Sequence, residues 1–226
     1  AYIIPEDLKG SVNVKTVTTD DFKITVPVSK GFKGGTAIIN TMKQDGSSIY
    51  TKLVKKEVNI FEEHDGKAVV ETSPYLKMAV FNRYGTYKHS LGIIDGMSNV
   101  QGAIAITYGH DAHNLTVYGG NDEDMVVAAN AVIQSNGGIC AVRNQKVLSL
   151  IPLPMAGLLS DLSIEDLYQE MKQLLLHAEE MGFVHQNLLT FLTLMTLAVS
   201  PEVKLSDLGL IDVINKEFLP LVVCVK

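Results

Sequence analysis

At 226 residues the chain is long enough to bury a sizeable core, as one large domain or two small ones. Its 46% hydrophobic and 19% charged residues are the proportions of an ordinary soluble globular protein. A net charge of −6 argues against a nucleic-acid surface, which needs a basic stripe.

Residues 12–70 read as β-rich. Val12-Asn13-Val14, Phe22-Lys23-Ile24-Thr25-Val26, Ala37-Ile38-Ile39 and Ser48-Ile49-Tyr50-Thr51 alternate or are β-branched. Gly34-Gly35, Asp45-Gly46 and Asp65-Gly66 mark turns, because glycine accepts positive φ without steric penalty. Lys52, Lys55 and Lys56 suit a solvated strand edge. Further strands are expected over residues 75–82, in the glycine-flanked run Leu91-Gly92-Ile93-Ile94-Asp95-Gly96, and over 102–107 and 115–118.

Asn121 is a good N-cap, and Asp122, Glu123 and Asp124 in the next turn complement the positive end of a helix. Met125, Ala128, Ala129, Val132 and Ile133 continue with helical spacing until Asn136-Gly137-Gly138 stops it. Residues 138–142 and 146–153 read as a hairpin turning at Arg143-Asn144-Gln145. A second helix spans residues 163–181, opened by Ser163 with Asp166 and closed by Gly182. Ile164, Leu167, Met171, Leu174, Leu175 and Ala178 are expected on one apolar face of it. The class is α+β: mixed β-sheets covered by helices, with a β-rich N-terminal segment and no TIM barrel. A division into residues 1–74 and 75–226 is weakly marked, and one continuous domain is the alternative.

No run approaches the roughly 18 apolar residues that span a bilayer. The longest candidate, residues 188–199, is interrupted by Thr190, Thr193 and Thr196. Cys140 and Cys224, each in an apolar run, read as reduced core residues of a cytoplasmic protein. The start at Ala1, without a methionine, suits an excised piece of something longer.

The chemistry concentrates in Tyr108-Gly109-His110-Asp111-Ala112-His113-Asn114, directly after a buried-strand pattern. His110, Asp111, His113 and Asn114 have three readings. They line a substrate or interdomain cavity, they stitch a turn by bonding its backbone, or His110 and His113 ligate a metal. Arg83 is a candidate to orient an anion or a carbonyl, with a salt bridge as its alternative. His64 beside Asp65-Gly66 reads as a turn residue and His177 as solvated. There is no Gly-x-Ser-x-Gly elbow, and neither cysteine has a nearby histidine, so nucleophilic catalysis has no local support.

The same cluster resembles the His-Asp-Ser-His-Asn signature of the C-terminal domain of bacterial adenine deaminases, with Ala112 at the serine position. Pro152-Leu153-Pro154-Met155-Ala156-Gly157-Leu158-Leu159-Ser160-Asp161 is similar to that family's Pro-Leu-Pro-Ile-Ala-Gly-Leu-Met-Ser-Asp segment. Residues 201–212, from Pro201-Glu202-Val203-Lys204 through Ser206-Asp207 to Asp212, resemble its closing segment. The likeness runs roughly over residues 75–220. There are departures: the family's Arg-His pair reads Arg83-Tyr84, and its Thr-Gly-Asn-Ile-Gly stretch reads Thr86-Tyr87-Lys88-His89-Ser90. They bear on substrate more than on fold.

The resemblance implies a parent enzyme of the metal-dependent amidohydrolases, a hydrolase acting on cyclic amidines that converts adenine and water to hypoxanthine and ammonia. In such enzymes a His-x-His pair opens a metal centre of manganese, iron or zinc on a (β/α)₈ barrel. This chain has no His-x-His and is too short to add a barrel of about 250 residues. The expectation is therefore a C-terminal domain inactive alone, binding no cofactor itself. Its expected partners are the barrel domain, in cis or as a separate chain, adenine or a related purine, and further copies in a homo-oligomer, with no nucleic acid and no membrane. A free-standing, non-catalytic ligand-binding or partner subunit is the first alternative. An independent metal-dependent hydrolase built on His110 and His113 is the second.

Overall fold

Alternating side chains decide this architecture, most clearly at the strand before the histidine cluster. The computed structural model describes residues 5–44, 50–62 and 66–226; the Asp45-Gly46 turn, Ser48-Ile49 and His64-Asp65 lie outside the described residues. Its elements in order are β1 (Thr25–Pro27), β2 (Gly35–Gln44), β3 (Thr51–Glu62), β4 (Lys67–Val70), β5 (Tyr75–Phe81), β6 (His89–Ser98), β7 (Ala103–Ile106) and β8 (Leu115–Gly119). Then come α1 (Asp122–Gln134), β9 (Gly138–Arg143), β10 (Lys146–Pro152), α2 (Ile164–Glu180) and α3 (Leu188–Leu194). The chain closes with β11 (Val203–Ser206), β12 (Gly209–Asp212), β13 (Glu217–Leu219) and β14 (Val222–Val225).

The main sheet has the order β1-β4-β3-β2-β6-β5-β8-β7-β9-β10. Its pairs are antiparallel except β2 with β6, a parallel contact of two residue pairs, Met42 with Ile94 and Lys43 with Asp95. β14 pairs with the first half of β2, and β11, β12 and β13 form a separate antiparallel meander. This is an α+β fold without a barrel, as the sequence predicts.

On β7 the period of two sends Ala103 and Ala105 to one face and Ile104 and Ile106 to the other. The alanine face meets Ala128, Ala129 and Val132 of α1, small residues that allow close approach. The isoleucine face packs with Tyr118 against Leu174 and Ala178 of α2 and Leu188, Phe191 and Leu192 of α3. A third apolar cluster, including Ile24, Ile39, Val58 and Ile60, fills the β1–β4 end.

Both long helices start where the caps place them. Asn121 Oδ1 accepts from Asp124 N at 2.8 Å, and Ser163 Oγ accepts from Asp166 N at 3.1 Å. The acidic turn does more than complement the helix dipole. Asp124 is buried and accepts the backbone N–H of Asn144 (3.3 Å) and Gln145 (2.5 Å), holding the β9–β10 turn, while Asp122 pairs with Lys77.

Several expectations are corrected. Phe22 closes a 3₁₀ turn, Thr19–Phe22, and the strand begins only at Thr25. Residues 12–14 contribute a single bridge, Asn13 with Tyr84. Cys140 is buried but Cys224 is exposed, because its side chain lines an open cleft with Ile24, Leu91 and Val222. The expected apolar face of α2 divides: Leu174 and Ala178 enter the core, whereas Ile164 is 78% exposed. His177 is not simply solvated; its Nδ1 lies 2.8 Å from Ser149 Oγ. Among the described residues, no helix is long and apolar enough to cross a membrane.

Candidate functional site

β7 and β8 are joined by the turn that carries the histidine cluster, and α3 holds that turn from the side. His110 N donates to Thr193 O at 2.9 Å, and Thr196 Oγ1 donates to His110 O at 2.6 Å. His113 has a left-handed φ of 51°, and its N donates to Gly109 O at 2.8 Å. Its Nδ1 accepts from Gly109 N at 3.3 Å, so the neutral ring carries its proton on Nε2. Burial, then the neighbouring His110 and Arg83, lower the His113 pKa against an opposing pull from Asp111.

The rings form a small aromatic group. Tyr108 stacks on His113 at 6.0 Å between centroids and meets His110 edge-on at 5.8 Å; the two imidazoles are 5.7 Å apart. His110 Nδ1 lies 3.9 Å from Asp111 Oδ1, and these two side chains are 43% and 72% exposed. The turn thus presents a carboxylate and two imidazoles to the outside.

Beneath it lie the buried Arg83 and Asn114, bonded to half-buried partners. Arg83, 3% exposed just after β5, donates through Nη1 to His113 O (3.0 Å) and through Nη2 to Ser11 Oγ (2.6 Å) and Ala156 O; Nε reaches Ser11 O at 3.4 Å. Burial lowers the Arg83 pKa. Its main-chain N donates to Asn114 Oδ1 at 3.2 Å. Asn114 Nδ2 donates to Asp207 Oδ1 at 3.1 Å, and Asn82 Nδ2 to Asp207 Oδ2 at 2.8 Å. Gly157, at φ 68°, lies so close that an added Cβ would sit 3.0 Å from Arg83 Nη2. Tyr84, at the position of the family's histidine, donates its hydroxyl to Ala112 O at 2.7 Å.

The five sequence candidates therefore come together in two layers. His110 and Asp111 stand at the surface with His113 half-buried, while Arg83 and Asn114 form the buried frame. Arg83 spends its guanidinium on main-chain carbonyls and the Ser11 hydroxyl. Sequence reasoning missed Tyr108 as a ring partner, Asp207 as a clamp and Thr196 as a tether. Asp207 stood inside the 201–212 segment; Thr196 carried no signal, because it falls in an apolar run. Among the described residues no group of three or more His, Cys, Asp and Glu is placed to hold a metal ion. A catalytic zinc site takes three protein ligands, so two imidazoles do not fit one.

Three segments that are far apart in sequence meet at this frame: residues 110–114, Ala156-Gly157, and Asp207. The family model for the adenine deaminase C-terminal domain matches residues 48–217. The chain is 34% identical over 220 residues to adenine deaminase 2 of Shouchella clausii, covering 97% of this chain and 37% of that protein. It is 38% identical over 185 residues to adenine deaminase of Kosmotoga olearia, covering 81% and 32%. Against adenine deaminase of Clostridium botulinum it is 34% identical over 231 residues, covering 98% and 36%. The chain spans about a third of the length of these curated relatives. With its quoted segments joined around Arg83 and Asn114, this chain belongs to the adenine deaminase C-terminal domain family.

Proposed function

We propose that this chain serves as the C-terminal domain of an adenine deaminase, and that His110, Asp111 and His113 face the active site of a metal-dependent barrel carried by the rest of the parent. The reaction of that parent is the hydrolysis of adenine to hypoxanthine and ammonia. One observation supports the reading above others: a polar turn open to solvent rests on the buried Arg83 and Asn114, which bond to groups drawn from remote segments. A turn that only needed closing would not require a buried guanidinium beneath it. Fixing exposed groups from below is how a site is preorganised.

The outward groups suit hydrogen bonding to a purine or a bound water. With Nδ1 engaged by Gly109 N, His113 offers Nε2–H as a donor, and its lowered pKa keeps it neutral near pH 7. Asp111 offers acceptors. The divalent metal, manganese, iron or zinc, belongs to the barrel, and no residue of this chain is assigned to it. Two unpaired cysteines support a cytoplasmic setting.

The test uses a full-length parent. His113→Ala and Asp111→Asn are expected to lower kcat/KM at least about tenfold, or roughly 1.4 kcal/mol, without a matching fall in melting temperature. Retained activity, or loss only in step with stability, would make the cluster structural. The isolated chain with adenine and added manganese should release no ammonia. Turnover of about 1 per second or more would instead promote an independent hydrolase.

A further inference from the structure

We propose that the outer stripe of α2 is a self-association surface, on which a second copy of this chain lays its own α2 antiparallel. α2 packs over β9 and β10, and β10 is the last strand in the order of the main sheet among the described residues. Its inner stripe enters the core through Leu174 and Ala178. Its outer stripe is apolar as well: Ile164 is 78% exposed, Tyr168 63%, Leu176 44% and Leu175 37%.

A groove of about 360 Å³ runs along that stripe, lined by Tyr168, Met171, Lys172, Leu175, Leu176 and Glu179. All of these residues belong to one helix, so the groove lacks an opposite wall. A helix with a second apolar stripe spaced at i, i+4, i+7, i+11 and i+12, here Ile164, Tyr168, Met171, Leu175 and Leu176, is built to meet another helix.

Charge placement selects the occupant. Lys172 is the only lysine or arginine of α2, against Glu165, Asp166, Glu170, Glu179 and Glu180. Seven residues separate it from Glu179, a distance of about 10 Å along one helix, too far for the two to pair within a chain. Across a twofold axis passing between Leu175 and Leu176 the two become neighbours. Lys172 of each copy then faces Glu179 of the other, on either side of a centre made by the leucines. A self-complementary patch of this kind is what an isologous dimer requires. With a net charge of −6, two copies otherwise repel, so the paired charges also fix orientation.

Sedimentation velocity on the 226-residue chain tests this directly. A concentration-dependent dimer is expected below about 100 micromolar. Lys172→Glu turns both cross-pairs repulsive and should weaken the dimer at least about tenfold. The swap Lys172→Glu with Glu179→Lys should restore it to within about threefold. Both positions are exposed, so circular dichroism and melting temperature should match the parent chain in every variant. A chain that stays monomeric, a dimer indifferent to Lys172→Glu, or a swap that fails to rescue would each overturn the proposal. A monomer whose α2 stripe is protected only in a full-length parent would assign the surface to the barrel domain instead.

Discussion

Replacing Arg83 with lysine separates the frame of the site from its display. The guanidinium reaches Ser11 O, Ser11 Oγ, His113 O and Ala156 O at a position 3% exposed. Hydrogen bonds from a charged donor contribute about 1.5–3 kcal/mol each, and a buried acceptor left without a partner costs about 1–3 kcal/mol. An ammonium keeps the charge but is a point rather than a fork, so it serves one or two of these acceptors. With at least two lost, Arg83→Lys should destabilise the chain by about 2–4 kcal/mol. For a chain of this length that lowers the melting temperature by roughly 5–15 °C. Urea unfolding followed by circular dichroism is the assay, since the chain has no tryptophan to report by fluorescence. His110→Ala is the control. That side chain is 43% exposed and the residue is tethered through its main chain, so the change should stay within about 0.5 kcal/mol. A cost below about 1 kcal/mol for Arg83→Lys, or an equal cost for His110→Ala, would refute the two-layer description.

His113 should give the native state a pH dependence. Its folded pKa lies below that of an ordinary imidazole, so as pH falls the unfolded chain takes up a proton first. Stability is then full above about pH 6.5 and declines as pH drops through the folded value. The difference in urea midpoint between the parent chain and His113→Asn should therefore change across that window; a constant difference would show that His113 does not titrate abnormally. The thiols should also part company. Burial raises the Cys140 pKa to about 12, whereas Cys224 is exposed, so native labelling should modify Cys224 rapidly and Cys140 only in denaturant. Two fast thiols would contradict the burial of Cys140 on β9, and none would contradict the exposure of Cys224 on β14.

Local chemistry made much of the fold legible. Asn121 and Ser163 cap the two long helices because short polar side chains satisfy N–H groups that a helix leaves open. The Arg143-Asn144-Gln145 turn could be read from its flanking runs, and Asn144 and Gln145 do adopt φ of 52° and 60°. What stayed hidden depends on tertiary neighbours. Whether Leu175 is core or surface depends on which strand α2 crosses, and 3.6-residue spacing does not specify that. Cys224 sits in an apolar run that resembles a core strand, yet its face of β14 looks into an open cleft, which the run itself does not reveal. Residues 22–26 alternate like a strand, but Thr18 and Asp21 close a turn there first.

The candidate site was legible in its display and in Arg83 and Asn114 of its frame, while the partners that hold those two stayed hidden, for a physical reason. His110, Asp111 and His113 announce themselves as closely spaced polar residues after an apolar strand. The hidden partners are single residues borrowed from remote segments, each of ordinary character where it stands. Asp207 lies in a polar turn after β11, and Ala156 acts through its carbonyl, which every residue type possesses. A buried arginine needs several acceptors fixed around it, and the main-chain carbonyls of Ser11, His113 and Ala156 supply them without adding charge. Only the closed fold brings them to Arg83. Departures from the family at Tyr84 are therefore best judged by what the side chain holds: its hydroxyl bonds Ala112 O, so the substitution acts on the posture of the histidine turn and not through direct contact with Asp111 or His113.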